Sequence, residues 1–201
     1  NRSLDVWNGE PEGVYAPTDT PVCFECLTDT AEIFIAGAKY DKVLEPFEVR
    51  SQDIDLVQYG SDDTKTHRKI KHILGANQRD QVGRLLVSEL YTVGSGGWSG
   101  FPSHKHDTDR LPEETRHDET YNFRFKPDYG SGLQMLQRED NKPGDAYHIM
   151  DGSTVIIDKG YHPCCALPGY EMYYFTILGG LSQRPLKQFF QPTHEEQLST
   201  I

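Results

Sequence analysis

The chain has 201 residues, enough for one large domain or two small ones. Hydrophobic residues make up 36% and aromatic residues 11%, which supports a packed core and excludes a disordered acidic chain. The formal net charge of -11 argues against phosphate backbones and anionic membranes as partners, so neither nucleic acid nor membrane binding is expected. An acidic substrate would meet the same repulsion unless local cations or a metal ion offset it.

No apolar run approaches the ~20 residues of a spanning helix. No secretory signal opens the chain, although its first residue, Asn1, is not Met. The four cysteines, Cys23, Cys26, Cys164 and Cys165, have no disulfide-scaffold spacing, so a reducing, cytoplasmic setting is expected.

In chain order, the opening "NRSLDVWNGEP" leads to strand-like stretches at 21–27 and 32–36. Cys23-Phe24-Glu25-Cys26 is formally a C-x-x-C. On a strand, positions three apart face opposite ways, so the two thiols read as packing cysteines and not as a chelating pair. A soft boundary falls at 42–49, where a proline and mixed charges separate two strand-rich parts. Strands are expected at 55–59, 66–74 and 84–93, with a short helical turn at the start of "GANQRDQVGRLL". Further strands are expected at 119–125, 132–138, 146–150, 153–158 and 171–178, and another helical turn near 193–197. "MDGST" at 150–154 carries an Asp-Gly hairpin signal. Many short strands with regular turns imply an all-β sandwich or barrel.

"GFPSHKHD" at 100–107 stands apart in this acidic chain. Residues i and i+2 of a strand share a face, so His104 and His106 would project together with Lys105 opposed. They are either solvated side chains on a polar loop or half of a metal site. The glycine-rich approach "VGSGGWSGFPS" suits backbone passing close to another group. In "ETYNFRF", alternation puts Glu119, Tyr121, Phe123 and Phe125 on one face. A carboxylate at the head of an aromatic face is costly unless a cation meets it. His162, in "KGYHPCCALPGYEMYYF", is either a satisfied core histidine or a further ligand. Three histidines and one glutamate suit Zn²⁺, Mn²⁺ or Fe²⁺ and leave positions open for substrate. His67, His72, His117, His148 and His194 read as exposed or interface residues without a chemical role.

An H-x-H, a later inner-strand Glu and a distant His resemble the metal signature of the cupin barrels. More specifically, "GGWSGFPSHKHD", "LPEE", "ETYNFRF" and "GYHPCCALPGYEMYYFTILGG" resemble the 5-deoxy-glucuronate isomerases of myo-inositol catabolism. The resemblance runs from about residue 4 to about residue 196 and is strongest over 97–107 and 160–180. It implies a bicupin, with two cupin β-barrels of which only the C-terminal one binds metal. Residues 1–45 would then be the remainder of an N-terminal barrel whose opening strands are missing, and 46–201 the metal-binding barrel. The implied ligands are His104, His106, Glu119 and His162. Two positions depart from the family pattern: Cys164 and Cys165 stand where small aliphatic residues are expected, and His148 where an apolar one is.

The activity so implied is the conversion of 5-deoxy-D-glucuronate to 5-dehydro-2-deoxy-D-gluconate, an aldose–ketose isomerisation assisted by a divalent metal, zinc before manganese or iron. Glu114 in "LPEET" is the candidate loop carboxylate for proton transfer, against a solvated loop acid. Tyr121 and Tyr174 are candidate substrate donors, against packing aromatics. Arg124 and Lys105 point away from the face of Glu119 and are left unassigned. A 4-deoxy-5-hexosulose-uronate ketol-isomerase, a cupin dioxygenase and a non-catalytic sugar-acid-binding cupin remain as alternatives, while a regulator is disfavoured because no helix-turn-helix pattern is present. A homo-oligomer is compatible with the sequence.

Overall fold

The computed structural model describes residues 5–200; residues 1–4 and 201, the outer ends of the two stretches divided on sequence, lie outside that range. In chain order the strands are β1 (Gly13–Tyr15), β2 (Phe47–Val49), β3 (Asp55–Tyr59), β4 (Arg68–Leu74), β5 (Leu85–Thr92), β6 (Trp98–Ser99) and β7 (His104–Lys105). They continue with β8 (His117–Lys126), β9 (Ser131–Leu136), β10 (Asp145–Met150), β11 (Thr154–Ile157), β12 (Cys164–Ala166), β13 (Glu171–Gly180) and β14 (Phe189–Phe190). Helix is confined to short 3₁₀ segments, among them Ala76–Gln78 and Pro192–Thr200, where helical turns were expected.

Two antiparallel sheets face each other. One runs in the order β11-β8-β13-β5-β4-β3, the other β10-β9-β12-β6. Strand β8 shows why the sheets close on each other. Its odd residues from His117 to Phe125 are all buried, while Asp118 and Lys126 are exposed. This alternation gives the strand an apolar inner face and a wetter outer one. The inner core joins Leu90, Tyr121, Phe123, Phe125, Met172 and Tyr174 of the larger sheet to Leu136, Ile149, Cys164 and Ala166 of the smaller one. The chain is thus all-β, with the cupin-type barrel that the resemblance implied.

The larger sheet also buries its other face. Val87, Tyr173 and Phe175 point outward there and are covered by Trp7, Tyr15, Phe34 and Phe47. Phe34 stacks on Phe175 with ring centroids 4.6 Å apart. Among the described residues of this covering segment only β1 and β2 form a ladder, pairing Gly13 with Val49 and Tyr15 with Phe47.

The strands expected at 21–27 and 32–36 do not form; neither stretch belongs to a ladder. Strand-like composition needs a neighbouring edge to become a ladder, and here none is alongside. Cys23 and Cys26 are correspondingly exposed and do not serve as packing residues. The Cys26 thiol donates to the Thr28 carbonyl at 3.0 Å.

The loop leading to β7 turns at Gly100, whose φ is +71°. A Cβ at that position would stand 3.0 Å from Pro163 Cα. Gly100→Ala should therefore cost about 1–3 kcal/mol through left-handed strain, read as a lowered midpoint in urea unfolding. An unchanged midpoint would mean that the turn tolerates a side chain.

Candidate metal centre

Four elements bring the sequence-predicted polar residues to one end of the barrel. His104 opens β7, a two-residue strand held by β14 through the pairs His104–Phe190 and Lys105–Phe189. His106 follows it, and its carbonyl accepts from the His117 amide at 2.9 Å, tying the segment to the start of β8. Glu119 lies two residues further along β8 on the inner face. His162 enters from the turn after β11, just before β12.

The backbone sets the tautomer of all three imidazoles. The Nδ1 atoms of His104, His106 and His162 donate to the carbonyls of Pro102, His117 and Gly160 at 3.1, 3.1 and 2.8 Å. Each ring is left to present Nε2 inward, the arrangement that orients a metal-ligating histidine. The three histidines offer ligand atoms within 4.8 Å of one another. Glu119 completes the cluster: its Oε2 lies 3.1 Å from His106 Nε2 and 3.2 Å from His162 Nε2. Its Oε1 accepts from the Thr176 hydroxyl at 2.7 Å.

Burial would raise the Glu119 pKa, but the hydrogen bond with His106 and the close approach of His162 outweigh it and hold the carboxyl well below its usual range. For His106, burial favours the neutral ring, yet the bond to Glu119 prevails and raises its pKa. His104 goes the other way. Burial and the neighbouring His162 and His106 push it down to about 3, so it stays neutral and keeps a lone pair on Nε2. His162 Nε2 is fully buried and has no hydrogen bond, despite its closeness to Glu119. Between a carboxylate and imidazole lone pairs something positive must stand, either a proton or a cation. A divalent cation satisfies all four groups at once, including the orphaned His162 nitrogen, so the residues fit a metal ion.

Tyr121 and Tyr174 line the adjacent wall. Their rings lie 4.2 Å apart, and Tyr121 is 6.3 Å from the His162 ring. The Tyr174 hydroxyl is 2.8 Å from Ser99 Oγ. Burial, reinforced by the Glu119 charge on Tyr121 and by Cys164 on Tyr174, raises both phenols well above their usual range. Cys164 is likewise pushed up by burial, so it remains a thiol beside this wall.

Glu114 is placed differently from the expectation. It is neither solvated nor poised over the cluster but fully buried within its own loop. Oε1 accepts from the Asp107 and Thr108 amides at 2.8 and 3.1 Å, and Oε2 takes the Arg110 guanidinium at 2.9 and 3.0 Å. With both oxygens engaged, the carboxylate closes the 107–114 loop. Lys105 and Arg124 do point away from Glu119, toward Asp107 at 2.5 Å and Glu32 at 2.5 Å respectively.

The other histidines divide. His148 is exposed. His117 is buried, and its Nε2 donates to the Arg184 carbonyl at 3.0 Å, a packing role that the exposed reading missed. His72 is half-buried against Ser88 Oγ at 2.8 Å. Two contacts to the cluster were not anticipated. Thr176 was legible from its two-residue spacing to Tyr174. Gln188, whose amide lies 3.0 Å from His104 Nε2, sits in a polar tail that carried no pattern.

The description of the KduI/IolB family fits residues 1–197. A 5-deoxy-glucuronate isomerase of Geobacillus kaustophilus (strain HTA426) is 32% identical over 198 residues, covering 96% of this chain and 67% of the relative. A protein of the same name from Bacillus subtilis (strain 168) is 30% identical over 184 residues, covering 92% and 66%. The crystal structure of an IolB-like protein from Salmonella typhimurium LT2 superposes with a TM-score of 0.70 at 29% identity, covering 78% of this chain and 57% of that one. The chain spans about two thirds of the length of these curated relatives. Because the match runs through both the covering segment and the barrel that carries the histidines, the chain belongs to the KduI/IolB family.

Proposed function

We propose that the chain is the metal-binding part of an aldose–ketose isomerase that converts 5-deoxy-D-glucuronate to 5-dehydro-2-deoxy-D-gluconate in myo-inositol breakdown. The observation that carries this reading is the inward presentation of three tautomer-fixed Nε2 atoms beside an ionised, buried Glu119. The activity printed for the curated relatives supports the substrate. His104, His106, His162 and Glu119 are the proposed ligands, with zinc as the ion, since a nitrogen-rich set with one carboxylate suits it. Residues 1–45 are proposed as the remainder of a first cupin barrel and 46–201 as the metal-binding barrel. No described helix is long and apolar enough to cross a membrane; a cytoplasmic location and a homo-oligomer complete the proposal.

When bound, the ion supplies Lewis acidity that polarises the carbonyl and hydroxyl oxygens of an α-hydroxy aldehyde and makes the hydrogen between them acidic. The chain's own residues then orient and shelter the reacting carbons. The Thr176 hydroxyl holds one oxygen of Glu119, which leaves the other facing the histidines. Tyr121 and Tyr174 keep their protons at physiological pH, so they act as hydrogen-bond donors on the wall and not as proton acceptors. The aromatic wall of Phe123, Tyr121 and Tyr174 excludes water from one side. Glu114 contributes by holding the loop that follows His106.

Proton NMR of the protein with 5-deoxy-D-glucuronate should show the C1 proton signal decay as the ketone forms, without oxygen uptake. Oxygen consumption, or no change in the sugar acid, would sink the isomerase reading. His104→Ala should lower metal content and activity together; retained metal with lost activity would move His104 to proton transfer. Glu114→Gln should cost about 1–3 kcal/mol of stability while leaving the pH profile of kcat in place. A displaced profile would return Glu114 to the reaction itself.

A further inference from the structure

Gln188 is the one exposed side chain that touches a ligand nitrogen of the histidine cluster among the described residues. Its backbone is pinned on both sides. Before it, the Thr115 amide donates to the Lys187 carbonyl at 3.1 Å, and the Lys187 amide donates to Thr115 Oγ1 at 2.8 Å. After it, β14 pairs with β7, and the Arg110 guanidinium lies 4.0 Å from the Phe189 ring centre. Buried Gln191 then anchors the segment through Gln137 Oε1 at 2.9 Å and Asp140 Oδ1 at 3.0 Å. Between these fixed points the Gln188 side chain is exposed and able to turn, yet it is aimed at His104.

The direction of that hydrogen bond follows from the other ring nitrogen. His104 Nδ1 donates to the Pro102 carbonyl, so Nε2 carries the lone pair and the Gln188 amide donates to it at 3.0 Å. One lone pair cannot serve an N–H and a metal ion together. A cation held by the three histidines therefore displaces the amide. The pinned backbone keeps the released side chain at the mouth of the site.

We infer that Gln188 is a substrate-positioning residue: its amide caps His104 until an ion binds, and once released donates to an oxygen of an α-hydroxy carbonyl substrate at the mouth of the site. The inference rests on the metal-isomerase reading above. An N–H placed there meets oxygens that gain negative charge as the carbon-bound proton leaves.

The test uses chelator-stripped protein titrated with Co²⁺ and followed by its visible spectrum, comparing wild type with Gln188→Ala. Loss of the competing hydrogen bond should tighten Co²⁺ binding by roughly 2- to 10-fold. A merely structural role would weaken it. Acetohydroxamate, which offers two adjacent oxygens, should then bind the Co²⁺-loaded variant roughly 2- to 10-fold more weakly than the Co²⁺-loaded wild type. Unchanged or weaker Co²⁺ binding overturns the capping role, and unchanged acetohydroxamate affinity overturns the positioning role. Neither probe is a sugar acid. A wild-type protein that leaves 5-deoxy-D-glucuronate untouched would thus refute the isomerase reading while both arms stayed readable.

Discussion

An ionised carboxylate buried at the end of an aromatic strand face is costly unless positive partners surround it. Glu119 meets this demand with two imidazoles and a threonine hydroxyl. The imidazoles in turn must be held so that their inward nitrogens converge. Three backbone carbonyls, from separate parts of the chain, do this through the outward nitrogens. The surrounding loops are therefore shaped by where those carbonyls have to lie. The clamp of Glu114 on the amides of 107 and 108 keeps the segment after His106 in place. The chemistry proposed for the centre depends on this prior electrostatic arrangement.

The six-stranded sheet behaves as a partition between two environments. Its inner face carries Glu119 and the two tyrosines. Its outer face is covered by the N-terminal segment, where Tyr173 donates to Glu89 at 2.9 Å and Phe34 packs on Phe175. Burial on both sides stiffens β5 and β13, the latter paired along its whole length to β8, and a stiff strand is a better platform for a ligand than a loop. The covering segment also leaves Phe24, Leu27 and Ile35 exposed at 57%, 80% and 81%, so its apolar content is only partly used by this sheet.

Much of this was legible in the residues because the informative signals are local and periodic. Alternation along 119–125 placed Glu119 on the inner face, and the H-x-H spacing suggested that His104 and His106 act together. Strands between Gly, Pro and Asp punctuation emerged close to their expected bounds, as in β3, β10 and β11. The failures were of partnership. Stretches 21–27 and 32–36 have strand composition without a ladder, since pairing depends on a distant edge that composition does not encode. Glu114 resembled a free loop acid because its amide partners lie six and seven residues back in an irregular turn. Strand β14 is two residues long, and its pairing to β7 crosses more than eighty positions. Gln188 was hidden for the same reason.

That last pairing has a consequence for synthesis. The ribosome delivers His104 and His106 well before Phe189 and Phe190, yet among the described residues β7 forms its ladder only with β14. A nascent chain ending at Gly180 would hold every strand of the two large sheets and still lack the clasp on its first ligand. The last of the four ligands to be clasped is thus the first to be synthesised, and its ladder waits for the tail after the barrel strands are in hand.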